Sequence, residues 1–159
     1  MDSANHQCRA HSVSLEAVQL ASANIDQMRL HWSLNDALAA MLLPAYEKCA
    51  QKYGYAQSSV DMARVACALE RCRLAQDKYP ESLDALKPRF IESVPPDVIG
   101  GQPLKYHLTS DGQFALYSVG WNGTDDSGAV LLKANSKTLN DIDYDKGDWV
   151  WTGQVKDGQ

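Results

Sequence analysis

The sequence lacks a long hydrophobic run, a basic excess and a recognisable export signal. No stretch of about 18 apolar residues occurs, so no membrane-spanning helix is predicted. The formal net charge of -5 disfavours a nucleic-acid partner, because such proteins usually carry a basic face. The first residues, MDSANHQCRAHSVS, contain no apolar core behind a positive region, and we therefore expect no secretory signal there.

The short motifs of the common enzyme classes are also missing. There is no glycine-rich phosphate loop, no nucleophile elbow and no HExxH. The adjacent pair Asp125-Asp126 is a weak basis for acid–base catalysis, since neighbouring loop residues rarely share one reacting atom. The sequence therefore predicts a protein without enzymatic activity.

The four cysteines do not have the spacing of a metal site. They include no CxxC, and Cys67 and Cys72 are five residues apart in a helical segment. That spacing turns the two side chains about 140° apart, so they can neither pair nor share a metal within one helix. We interpret the cysteines as small hydrophobic residues or incidental thiols. A bridge from Cys49 to another cysteine in an oxidising compartment is the minor alternative.

The first half of the chain has helical periodicity. Residues 14–30 repeat apolar side chains at helical spacing, with Ser14 as a plausible N-cap. A second helix is predicted from Ser33 to Gly54, with Pro44 as a possible kink. A third begins at a cap in positions 58–59 and ends at Tyr79-Pro80, because the residue before a proline disfavours helix. Its predicted buried stripe is Met62, Val65, Ala66 and Leu69. A short helix is predicted in "PESLDALK".

The second half predicts strands and loops. "LKYHL" alternates in polarity, Asp111-Gly112 marks a tight turn, and "QFALYSVG" forms the return strand. His107 is then a solvated strand residue. The chain from Trp121 to Asp148 reads as loop, and "DWVWTG" as a closing strand with Trp149 and Trp151 on one face. The predicted fold class is α+β: N-terminal helices packed on a small antiparallel sheet with a long Asp-rich loop. Its parts are a helical region, 1–57, and an α+β region, 58–159, packed as one domain.

The Asp-rich loop is the only concentrated chemical feature. Six aspartates and no glutamate lie between Asn122 and Asp148. Short carboxylates, amides and turn carbonyls are the ligands that Ca²⁺ takes, but the same residues also form ordinary solvated turns. An EF-hand is excluded, because counting from Asp141 places Lys146 at the sixth position and Thr152 at the twelfth.

The order of motifs in residues 65–151 carries a resemblance to a known family. A helix ending "ALERCRLAQDKYPESLDAL" precedes "FIESVPPDVIGGQPLKY" and then "DGQFALYSVGWNGTDDSG". This order resembles the C-terminal globular region of the type II secretion major pseudopilin. It is also similar to uncharacterised bacterial proteins that carry such a tail. The resemblance covers a little over half of the chain, and it implies a non-catalytic domain.

The resemblance also implies a calcium ion that holds the last loop against the sheet. Asn122 stands at the family's "Asp-Gly" aspartate, and Asp141 at its late "Asp-Ile". Leu116 and Ser118 would offer backbone carbonyls. Asp125 and Asp126 are further candidates suggested by composition, and Asp143 is a second choice in the closing stretch. Two departures stand out: Asn122 removes a charge, and the N-terminus has no pilin-type apolar helix, so assembly into a secretion pseudopilus is not carried over.

Three functional hypotheses follow. The first is a non-enzymatic pseudopilin-like domain, its loop ordered by Ca²⁺, with a binding or assembly role and a protein partner in the bacterial cell envelope. The second is a metal-free protein-interaction domain. The third is a carbohydrate-binding or hydrolytic module that uses Trp121, Trp149 or Trp151, which would need those rings exposed beside carboxylates. An extracytoplasmic location is favoured if the chain belongs to a longer or exported protein, and a cytoplasmic one otherwise.

Overall fold

A computed structural model describes residues 34–134 and 142–151, with the side chains of 34–41 and of position 43 left undescribed. The dominant element is one α-helix, α1, which runs over Leu34–Gln76. The predictions of separate helices over 33–54 and from position 58 or 59 onward are therefore wrong, since a single helix covers both. The helix predicted at 14–30 lies outside the described residues.

Gly54 is the reason that the two helices looked separate. We expected it to end a helix, whereas it lies buried inside α1 where the helix meets the sheet. A Cβ placed on Gly54 would lie 3.5 Å from Ile99 Cδ1 and 3.5 Å from the Trp149 ring. Ser59 is no cap either, because its hydroxyl donates to the carbonyl of Tyr55 at 2.8 Å within the helix. Gly54 and Ser59 are residue types that usually favour the ends of helices. Here tertiary packing, which the local sequence does not reveal, overrides that preference.

The buried stripe of α1 matches the prediction. Met62, Val65, Ala66 and Leu69 are all buried, and Cys72 continues the same face. The helix ends at Gln76, and Asp77 adopts a left-handed conformation with a φ of 59°. This is the backbone geometry common just after a helix. Of the predicted "PESLDALK" helix, the structure contains a 3₁₀ turn over Leu83–Leu86.

The main sheet has three antiparallel strands, β1 (Lys105–Leu108), β2 (Phe114–Ser118) and β5 (Trp149–Val150), in the order β1-β2-β5. Leu108 pairs with Phe114 across the predicted hairpin, and Gly112 has a φ of +77° in its turn. His107 is exposed on β1, as expected. Ser118 of β2 pairs with Trp149 of β5, which brings the predicted last strand beside the hairpin.

A second small sheet occupies the region predicted as loop. Strands β3 (Val130–Leu132) and β4 (Ile142–Gly147) pair antiparallel, so the prediction of loop throughout 121–148 is wrong. The acidic side chains of β4 do not prevent pairing, because the ladder uses backbone groups. Tyr144 of β4 also packs edge-on against Tyr55 of α1, with ring centroids 4.7 Å apart. The amino-acid composition of this region is typical of turns and therefore did not reveal strand β4, which packs against α1.

The core lies between α1 and the three-stranded sheet. Trp149 is its largest fully buried side chain and meets Tyr55 edge-on, with ring centroids 5.5 Å apart. One long helix packed on a small antiparallel sheet confirms the α+β class. The predicted boundary between positions 57 and 58 falls inside α1. Across the described ranges, none of the helices combines the length and the apolar character needed to cross a bilayer.

Candidate functional site

Asp148 joins the loop of residues 119–129 to the start of strand β5. It lies between β4 and β5 and is only 1% exposed. Its carboxylate accepts hydrogen bonds from the backbone N–H groups of Gly128, at 2.6 Å, and Asp126, at 3.3 Å. Its own N–H donates to the carbonyl of Ala129 at 2.9 Å. We call this arrangement of Asp148 with residues 126–129 the Asp148 clamp.

Two glycines let the clamp close. Gly120 and Gly147 both have positive φ, +68° and +72°. A Cβ on Gly120 would overlap the carbonyl oxygen of Gly147, and a Cβ on Gly147 would lie 2.7 Å from the carbonyl oxygen of Ala129. Only glycine combines this conformation with so close an approach of two backbones. The start of the loop and the end of β4 are therefore held in direct contact.

A second buried carboxylate, Asp97, fixes the other side of the loop. Asp97 is 1% exposed and belongs to the proline-rich segment before β1. It accepts hydrogen bonds from the Ser118 hydroxyl at 2.7 Å, from the Val119 N–H at 3.0 Å and from the Ile99 N–H at 2.9 Å. The end of β2 is thereby tied to the segment that leads into β1.

Burial dominates the electrostatics of both carboxyl groups. Loss of hydration raises the pKa of Asp97 above its ordinary value, although the three hydrogen bonds that it accepts pull in the other direction. Burial likewise raises the pKa of Asp148, against the lowering effect of the Gly128 and Asp126 N–H groups. The negative charge of Asp148 further raises the pKa of Asp97, and the charges of Asp126 and Asp125 further raise the pKa of Asp148. The loss of hydration of the Asp97 and Asp148 carboxyl groups is therefore offset by hydrogen bonds from neutral donors.

Asp125 is the member of the loop that has a cationic partner. Its carboxylate lies 3.1 Å from the Lys105 ammonium of β1 and accepts hydrogen bonds from the Ser127 N–H at 3.0 Å and the Tyr117 hydroxyl at 3.2 Å. The Ser127 N–H, followed by Lys105, lowers the pKa of Asp125. The tip of the loop is thus tethered to the main sheet by an ion pair at the surface.

The structure brings together Asn122, Asp125 and Asp126, the predicted ligands at the loop tip, but their side chains serve the loop itself. The Asn122 amide donates to the Asp126 carboxylate at 3.0 Å, and its oxygen accepts from the Thr124 N–H at 3.1 Å. The Asn122 amide thus directs its nitrogen at Asp126 and forms a hydrogen bond within the loop. Asn122 and Asp126 therefore stabilise the turn of the loop.

Leu116 and Ser118, which were predicted to offer backbone carbonyls to the metal ion, lie on β2. The Leu116 carbonyl accepts the N–H of Trp151 at 2.9 Å and so belongs to the strand ladder. Ser118 is fully buried, and its hydroxyl donates to Asp97 and accepts from the Gly120 N–H at 3.3 Å. Ser118 thus takes part in fixing the loop through its side chain.

The remaining predicted ligands come from the closing stretch. Asp141 lies outside the described residues. Asp143 accepts the N–H of Asp145, two residues along strand β4, at 3.1 Å. Asp145 accepts a hydrogen bond from the buried Gln51 amide of α1 at 2.6 Å. Asp143 and Asp145 thus face α1 and their own strand.

The carboxylates that the structure describes around the loop are engaged by groups of the protein itself. Within 34–134 and 142–151, no group of three or more His, Cys, Asp or Glu side chains is placed to hold a metal ion. The carboxylates of Asp97 and Asp148 face backbone N–H groups, and Asp125 faces an ammonium. The calcium prediction that involves Asp141 stays a prediction.

The three tryptophans that the structure describes, Trp121, Trp149 and Trp151, do not form an exposed platform. Trp149 is fully buried, Trp121 is buried at the start of the loop, and Trp151 is half-buried against the core. A carbohydrate-binding surface needs ring faces that are open to solvent beside carboxylates. Trp121 and Trp149 therefore pack the fold, which removes the basis of the third hypothesis for these two rings.

An open groove of about 600 Å³ runs beside the loop. Its walls combine the proline-rich segment with the Lys105–Asp125 ion pair and the backbone of Gly123. Asp97 and Asp148, the two residues that organise this region, were not among the predicted site residues. The available signal was that each directly precedes an apolar pair, Val98-Ile99 or Trp149-Val150, and so must lie next to the core.

Comparisons with protein-family models, with curated proteins and with solved structures found no match to this chain.

Proposed function

We propose that this chain is a non-enzymatic, pseudopilin-like domain with a binding or assembly role in the bacterial cell envelope. The observation that carries the proposal is the Asp148 clamp. The resemblance implies a last loop held against the sheet, and here the Gly128 and Asp126 N–H groups hold it through the Asp148 carboxylate. In this proposal the clamp performs the structural task that calcium performs in the family, and the domain is metal-free.

The chemistry of the polar groups supports a structural role. Asp97 accepts three hydrogen bonds and Asp148 accepts two, and both are buried beneath the loop. A general acid or base must reach a substrate atom at hydrogen-bond distance. Carboxylates that accept hydrogen bonds from the protein itself and are shielded from solvent instead order a surface, and an ordered surface suits a domain that binds other proteins.

The groove beside the loop is the surface that the clamp supports. It presents Gln102 and Pro103 on one side and Asp125 on the other. The clamp and Asp97 hold these walls from beneath, so the groove is formed before any partner arrives. Pre-formed surfaces lose little conformational entropy on binding.

The proposal is tested in the bacterium that encodes the protein. A photo-crosslinking amino acid replaces the exposed Gln102, and a matched control carries it at the exposed Glu92, outside the groove. We expect the full-length product in the envelope fraction and a discrete protein adduct from position 102 only. A product confined to the soluble fraction, with no adduct at position 102, would contradict the proposed role.

A further inference from the structure

Helix α1 carries a second apolar stripe on the face opposite the core. Five large apolar side chains of this helix are between 55% and 74% exposed: Leu42, Tyr46, Tyr53, Val60 and Leu74. Cys49, Ala56 and Cys67 are exposed as well. A surface helix normally has one apolar face and one polar face, so apolar residues on both faces indicate a second contact.

The stripe follows a heptad repeat. Counting along α1, the steps between its members alternate strictly between four and three residues. The positions are Leu42, Tyr46, Cys49, Tyr53, Ala56, Val60, Ala63, Cys67, Glu70 and Leu74. Nine of the ten are apolar or weakly polar, and Glu70 is the exception. A repeat that averages 3.5 residues is the pattern with which two helices pack as a coiled coil. We call these ten positions the heptad stripe.

The core does not use this stripe. The residues of α1 that contact the sheet, such as Gly54, Met62 and Leu69, lie about half a turn away from it. The stripe spans 33 residues from Leu42 to Leu74, and their 32 steps of 1.5 Å make it about 48 Å long. Its partner must therefore be another long apolar helix surface.

From this geometry we propose that the heptad stripe pairs with the same stripe of a second copy of this chain, in antiparallel orientation. The proposal goes beyond the groove described above, because it concerns the opposite side of α1. A second copy supplies a helix of the same length and the same repeat. A two-fold axis through the middle of the stripe makes the interface self-complementary.

The antiparallel register matches side chains by size and chemistry. It pairs positions whose numbers add to 116, and each pair occurs twice in the dimer. The pairs are Leu42 with Leu74, Tyr46 with Glu70, Cys49 with Cys67, Tyr53 with Ala63, and Ala56 with Val60. Large residues meet small ones at the centre, and leucines meet at the ends. The Tyr46 hydroxyl can donate to the Glu70 carboxylate, which also bonds to Arg73 and Tyr79.

A parallel register is worse for the same residues. It would place Glu70 against its own copy, and two carboxylates in contact repel each other. It would also oppose Tyr53 to Tyr53 and Ala63 to Ala63, giving a crowded layer beside a void. In the antiparallel register the two folded bodies lie on the outer sides of the helix pair, where each body already packs on its own α1.

The first test is the oligomeric state of the full-length chain by sedimentation at micromolar concentrations. We expect twice the 17.5 kDa mass of one chain. Val60→Glu should restore the monomer, because it buries a charge near the two-fold axis. Ala75→Glu introduces the same residue on α1 outside the stripe and should leave the dimer intact. A monomeric wild type, or a Val60→Glu variant that remains dimeric, would overturn the proposal. Circular dichroism checks that both variants are folded.

The second test determines orientation through the cysteines. In a Cys8→Ser background, the variants Cys49→Ser and Cys67→Ser are each oxidised with diamide, which takes up the two thiol hydrogens as a disulfide forms. Cys72 is buried in both. The antiparallel dimer predicts no covalent dimer from either variant alone and a covalent heterodimer when the two are mixed. Covalent homodimers from each variant alone would indicate parallel pairing. Failure of the mixture to crosslink would also overturn the antiparallel register.

Discussion

The carboxylate of Asp148 accepts the backbone N–H of Gly128 at 2.6 Å, across 20 residues of chain. This bond and its neighbour from Asp126 close the loop that follows β2 onto the residue that precedes β5. One buried side chain thus closes this end of the loop, and its contribution to stability can be measured.

Replacing Asp148 with alanine should strongly destabilise the fold. The change leaves the Gly128 and Asp126 N–H groups without an acceptor, and losing hydrogen bonds to a charged group with buried partners costs about 2–4 kcal/mol. Urea unfolding followed by tryptophan fluorescence measures the effect. Glu92→Ala removes an exposed carboxylate and should change the free energy of unfolding by less than about 0.5 kcal/mol. Equal effects of the two variants would show that the clamp contributes nothing.

Alanine at Gly120 should be far more disruptive than alanine at Gly112. Both glycines have positive φ, +68° and +77°. The Cβ at Gly112 would meet no atom within 4 Å, so only the backbone preference is lost, about 1 kcal/mol. The Cβ at Gly120 would overlap the Gly147 carbonyl, and we expect a loss of about 3 kcal/mol or more. Thermal melting of the two variants decides the matter, and similar melting temperatures would contradict the close approach.

Alanine at Gly54 should stabilise the protein. In the middle of a continuous helix, alanine is favoured over glycine by about 1 kcal/mol. The added Cβ would make ordinary contacts at 3.5 Å with Ile99 and Trp149. If Gly54 instead ended one helix in a left-handed conformation, alanine would destabilise the fold. A higher urea midpoint for Gly54→Ala would therefore indicate one continuous helix, and a lower midpoint would indicate two helices.

The buried carboxyl groups predict a characteristic pH dependence. Burial raises the folded-state pKa of Asp97 above the ordinary 3.8, so the folded chain binds more protons than the unfolded chain just above that pH. The stability contributed by this group is therefore present below about pH 3.8 and is lost as the pH rises through the raised folded pKa. Relative to Asp97→Asn, which cannot titrate, the wild type should lose stability over this window. A difference that instead grows with pH would mean that the folded pKa is lowered.

The pKa of Asp125 is shifted in the opposite direction to the pKa of Asp97. The Ser127 N–H and the Lys105 ammonium lower the pKa of Asp125. Lys105→Met removes the charge, and the pKa of Asp125 should then rise toward its ordinary value. Carboxyl NMR titration measures this directly, with Lys78→Met as a control for loss of an exposed lysine elsewhere. An unchanged titration of Asp125 would show that the pair is not formed in solution.

Calcium should not raise the melting temperature if the clamp alone closes the loop. A ligand at 100 times its dissociation constant stabilises a protein by about 2.7 kcal/mol, which is a shift of several degrees at this size. We expect no difference between millimolar calcium and chelator. A shift of several degrees that disappears in Asp141→Ala would instead establish the calcium site implied by the resemblance.

Much of the fold could be predicted from local pattern. The buried stripe of α1, the hairpin around Asp111-Gly112 and the closing strand all appear where periodicity and turn chemistry indicated them. The pairing of β3 with β4 could not be predicted, because β4 is acidic and its support comes from Tyr55, far away in sequence.

The sequence directed attention to the loop around Asn122 and Asp125 but not to the residues that order this loop. The residues around Asn122 and Asp125 do form one ordered loop. The residues that order it, Asp97 and Asp148, lie in segments that looked like an irregular turn and a strand end. An aspartate looks the same in the sequence whether its carboxylate faces water, a metal ion or a backbone N–H. Only the three-dimensional arrangement of the groups around the carboxylate distinguishes these roles.

The sequence by itself determined the class of this protein and the periodic elements from which it is built, because helices and strands arise from patterns within a few turns of chain. Tertiary structure alone decided that Gly54 lies within a helix, that Asp148 clamps the loop and that most of the heptad stripe is exposed among the described residues. Each of these depends on contacts between residues distant in sequence, and such contacts form only when the elements pack.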